Sequence, residues 1–135
     1  MSKETCIEEL LNGLNMGMIA IDHLIDKIDN PKLRDIVLNQ RKEYGELKEK
    51  IVHTSPQVED ETKKKFILES MIELKAMMSD DKKIAKMLIE GCNQAIMTMT
   101  HLINKEEKLD MKFKNYMNDF EDISKRYIEE LKVFL

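Results

Sequence analysis

Tryptophan is absent from this 135-residue chain, proline and cysteine occur twice each, glycine four times, and aromatic residues make up 5%. Val, Thr and aromatic residues are too sparse to furnish a sheet, while Lys, Glu, Leu, Ile and Met are abundant and helix breakers are few. The expected fold class is all-α. Cys6 and Cys92 lie far apart with no paired motif, which argues against a disulfide framework and for free thiols in a reduced compartment. Long hydrophobic runs are missing too. The first residues, MSKETCIEEL, have no apolar signal core, and every charge-free stretch falls short of the ~18 residues of a membrane span. A soluble, cytoplasmic protein with no membrane partner is expected. Nor is there an excess of positive charge. The net charge is -4, and the one basic run, Lys63 to Lys65, follows Glu59, Asp60 and Glu61, so nucleic acid is not an expected partner.

What is present is a repeat. GLNMGMIAIDHLIDK (13–27) and GCNQAIMTMTHLINK (91–105) share Gly, Asn, His, Leu, Ile and Lys in register. The likeness continues after a two-residue deletion. KLRDIVLNQRKEYGEL from Lys32 aligns with KLDMKFKNYMNDFEDI from Lys108, pairing Glu43 with Asp119, Tyr44 with Phe120 and Leu47 with Ile123. Heptad patterning alone produces some such matches, so chance similarity is the competing explanation. As a true repeat, it describes two helical hairpins of one design.

Local signals place the boundaries. A first helix from about Glu4 to Ile28 should stop at Asp29-Asn30-Pro31, with Asn30 as cap and Pro31 opening the second helix. The second should end near Val52, before Ser55-Pro56. A third helix should start at Asp60 and end before Ser79-Asp80-Asp81. At about 19 residues it would reach roughly 28 Å. The second repeat copy fills a fourth helix, and Asn104 to Glu107 should turn the chain into a fifth that ends near Leu135. The whole chain, 1–135, reads as one domain: a four-helix bundle of two hairpins joined by a long crossover that contains an extra helix, the ferritin-like arrangement.

NMGMIAIDHLIDKI followed by NPKLRDIVLNQRKEY resembles a group of small ferritin-like proteins common in spore-forming bacteria. It is also similar to the spore-coat protein F family, whose second helix opens with a Pro-x-Leu/Val-Arg segment as Pro31-Lys32-Leu33-Arg34 does here. The resemblance implies a ferritin-like fold and an association with sporulation or the spore. Members of the fold that bind two metal ions carry a Glu-x-x-His pair on each of two helices. Here Ala20, Lys50 and Thr98 stand three residues before His23, His53 and His101, so that motif is missing.

At roughly 100° per residue, Ile7, Leu11, Leu14, Met18, Ile21, Ile25 and Ile28 form the inner stripe of the first helix. Leu88, Cys92, Ile96, Met99 and Ile103 form that of the fourth. Cys92 is therefore expected in the core, and Cys6 nearer the surface. Asp22, Thr100, Asn15 and Asn93 fall on flanks; Gln40 points inward and Glu43 lies at an edge. A polar layer of Asp22, Gln40, Glu43, Tyr116 and Asp119 is conceivable, with Asp22, Glu43 and Asp119 as candidate metal ligands and iron as the alternative cofactor; a satisfied polar layer or a solvated flank explains the same residues. No catalytic constellation is found, and no cofactor is expected. The outer sides of the repeated helices carry Met16, Ile19, His23, Met97 and His101 where Lys and Glu would be usual. One such strip is expected under the third helix, whose apolar residues are Phe66, Ile67, Leu68, Met71, Ile72, Leu74, Met77 and Met78. The other is expected under a second subunit in a homodimer. The expected function is non-enzymatic, structural or protein-interacting.

Overall fold

The computed structural model describes residues 3–56, 80–105 and 108–135. Among them are four long helices, α1 (Lys3–Leu24), α2 (Pro31–Thr54), α3 (Asp81–Lys105) and α4 (Met111–Leu131), with 3-10 turns at Ile25–Lys27 and Lys132–Phe134. The described residues include no strand. The described residues form an all-α four-helix bundle, and none of these helices is long and apolar enough to cross a membrane. The expected third helix, with Phe66 to Met78, lies outside the described residues.

The turn between α1 and α2 forms as its residue types dictate. The Asn30 side chain accepts from Lys32 N at 2.9 Å and Leu33 N at 3.4 Å, and Pro31 occupies the first turn, where no amide donor is needed. Arg34 donates to the Ile28 carbonyl at 2.6 Å. The amides of Asp29 and Asn30 each donate to the Asp81 carboxylate at 2.9 Å, which ties the first turn of α3 to this hairpin. At the far end Thr54 bonds Tyr116 at 2.9 Å, early in α4. Thus α1 runs up, α2 and α3 down, and α4 up. The main packing pairs are α1 on α2, α2 on α4, α4 on α3 and α3 on α1.

α2 buries Leu33, Val37, Gln40, Tyr44, Leu47 and Ile51, alternating four- and three-residue steps that make one narrow seam. α1 is buried more broadly. Its lower half buries Cys6 and Leu10 beside Ile7, Leu11 and Leu14, because α1 meets α2 on one side and α3 on the other. Cys6 is consequently fully buried, against the expectation of exposure. Asn15, expected on a flank, is buried by the same broad contact, whereas Asn93 is exposed. Ile25 is only half-buried, since the helix tightens there into a 3-10 turn and three residues per turn shift the phase. In α3, Ile84, Ala85 and Leu102 join Leu88, Cys92 and Met99 in the core, while Ile96 and Ile103 are half-buried. The seam is turned toward α4, its most extensive neighbour.

Two glycines of α1 make the bundle close. The rings of Tyr44 from α2 and Phe120 from α4, aligned with each other in the repeat, meet edge to face with centroids 5.2 Å apart. A Cβ on Gly17 would lie 2.8 Å from the Tyr44 ring, and one on Gly13 would lie 2.8 Å from the Phe120 ring. Both rings are fully buried and brace each other, so neither can retreat. A Cβ on Gly91, the repeat partner of Gly13, would meet nothing within 4 Å among the described residues. Alanine at a crowded glycine and at an uncrowded one should therefore act with opposite sign. Gly17→Ala should lower stability by about 1–3 kcal/mol through overpacking, whereas Gly91→Ala should raise it by about 0.5–1 kcal/mol through helix propensity. Denaturant titration of both variants measures this, and a stabilised Gly17→Ala protein would contradict the packing.

Candidate functional site

The side chains proposed from the sequence as a polar layer do not come together. Asp22 lies on the exposed side of α1 and receives a forked ion pair from Arg41 of α2, with Nε at 2.5 Å and Nη2 at 2.9 Å. Tyr116 sits near the lower end, bonded to Thr54 and edge-on to Phe113. Thr100, the repeat partner of Asp22, donates to Glu121 at 2.6 Å between α3 and α4. Only Glu43 and Asp119 of the candidate ligands share a surface, a shallow groove of about 300 Å³ between α2 and α4. Glu46, Lys50, Asp122 and Arg126 also line it, with Leu47 and Ile123 more deeply set.

Glu43 is already engaged. Arg126 donates to it from Nη2 at 2.6 Å and Nη1 at 3.2 Å, the Tyr127 hydroxyl donates to the same carboxylate, and the guanidinium lies 5.6 Å from the Tyr127 ring centre. The Arg126 bonds, helped by Tyr127 and opposed by partial burial, hold the Glu43 carboxyl below its ordinary 4.5. Arg126 and Tyr127 had no sequence signal that linked them to Glu43, since the contact spans more than eighty positions.

The one inward polar residue that the wheel identified, Gln40, anchors a buried cluster at the centre. Its amide nitrogen donates to the Tyr44 hydroxyl at 3.1 Å and to Cys92 Sγ at 3.3 Å, and Tyr44 shares a 3.0 Å bond with Ser124. Its Oε1 has no partner among the described residues. Burial is the main cause that pushes the Cys92 thiol up, and likewise the Tyr44 hydroxyl, so both stay protonated. An amide, a thiol, a phenol and an alcohol are poor donors for a pair of hard iron ions, which favour carboxylates and imidazole. The aromatic pair fills the space beside them. These residues do not fit a di-metal centre. Among the described residues no group of three or more His, Cys, Asp or Glu side chains is placed to hold a metal ion.

The residues of the two outer strips differ in exposure. Met16 and Met97 are 47% and 66% exposed, His101 is exposed, and Ile19 and His23 are half-buried. The antiparallel register set by Asp29 and Asp81 puts Met16 roughly level with Met97. From Leu10 to Ile21 and from Gly91 to Asn104 neither helix carries a charged residue. The exposed sides of α2 and α4 instead carry Lys42, Glu46, Glu49 and Lys50, and Asp119, Asp122, Lys125 and Arg126. Over the middle turns of the bundle, charge is thus concentrated on α2 and α4, while the ends of α1 and α3 carry Glu8, Asp22, Lys86 and Glu90. No family model matches the chain, and no curated protein or solved structure is significantly similar to it.

Replacing Glu43 by Gln should cost up to about 1 kcal/mol near neutral pH, a modest figure because Arg126 is largely solvated. A depressed carboxyl stabilises the fold above its unfolded pKa and stops doing so as pH falls through the folded one. The difference between wild type and Glu43→Gln should therefore fade below an ordinary glutamate's 4.5, and a pH-independent difference in urea titrations would count against the ion pair. Thiol labelling gives a second check. Cys6 and Cys92 should both resist a maleimide in the native protein and react after denaturation; rapid native modification of either would show that its helix is rotated.

Proposed function

We propose that this protein is a non-enzymatic bundle of ferritin-like topology that acts through its surface, as a structural or interaction component that pairs with a second copy of itself. The observation that carries this reading is the uncharged, partly apolar outer side of α1 and α3 around Met16, Ile19, His23, Met97 and His101. A solvated helix face ordinarily carries Lys and Glu, and large exposed apolar side chains on such a face favour contact with another protein. The up-down-down-up order of α1 to α4 and their packing pairs support the ferritin-like assignment. The resemblance of the first third to spore-associated proteins supports a cytoplasmic or spore-associated setting in sporulation.

Iron binding is the second reading, favoured by the shared groove position of Glu43 and Asp119. It is the weaker, because Arg126 already neutralises Glu43 and no histidine among the described residues lines that groove.

Sedimentation tests the pairing. Wild-type protein at micromolar concentration should run as a dimer, and of Ile19→Glu and Met97→Glu one should yield folded monomers with unchanged helical circular dichroism, while the other, on the strip assigned to the expected third helix, should destabilise the fold. A wild-type monomer would end the homodimer proposal.

A further inference from the structure

We draw no further inference here: the strongest candidate, the groove between α2 and α4 walled by Glu46, Asp119 and Asp122, is a cluster of exposed carboxylates with nothing else in the structure that points to a ligand.

Discussion

The edge-to-face pair of Tyr44 and Phe120, seated on Gly17 and Gly13, is the contact on which the rest of this bundle depends. Each ring comes from a different hairpin, and both press on α1, so the pair joins three helices at one level. The glycines let α1 approach closely enough for the rings to be enclosed; any side chain there would hold the helices apart. Above this level lies a cluster that includes Ile21, Leu24, Ile84, Leu88 and Tyr127, and below it one that includes Cys6, Leu10, Phe113 and Met117. Tyr44 also brings its hydroxyl into the core, and Gln40, Cys92 and Ser124 are the groups that receive it.

That arrangement decides where chemistry can occur. A centre filled by aromatic rings and neutral hydrogen-bonding groups leaves the acidic and basic residues toward the margins, the most buried among the described residues being Glu121, which accepts from Thr100 between α3 and α4. At the margins they form clamps between helices, Asp22 with Arg41 and Glu43 with Arg126 and Tyr127. Exposed pairs of this kind contribute little stability each, but they join α1 to α2 and α2 to α4 at defined heights. The turn amides held by Asp81 do the same for the two hairpins. The sides of α1 and α3 away from these clamps carry no charge over several turns, which is why the proposed function is placed on that surface.

Much of the fold was legible because helix signals are local. Asn30-Pro31 and Ser55-Pro56 mark boundaries through residue-specific backbone preferences, and the helical wheel turned Gln40 of α2 inward. Cys6, Asn15 and Ile25 were misplaced for a common reason: a single-stripe wheel assumes constant pitch and one contact direction. α1 has two neighbours and ends in a 3-10 turn. The clamps were not legible, since Arg41 lies nineteen positions from Asp22 and their meeting is set by the register between helices. The repeat was informative about architecture and misleading about roles, because Gly13 seats a ring while a Cβ on Gly91 would meet nothing within 4 Å among the described residues.

The claim that the interior is closed and the protein acts through its surface is tested most directly by iron. Purified protein equilibrated with iron(II) under anaerobic conditions, dialysed and measured by elemental analysis should retain only background metal, and its absorption spectrum should be unchanged. Stoichiometric iron that is retained by the wild type and lost on replacing Glu43 with Gln and Asp119 with Asn would contradict the account.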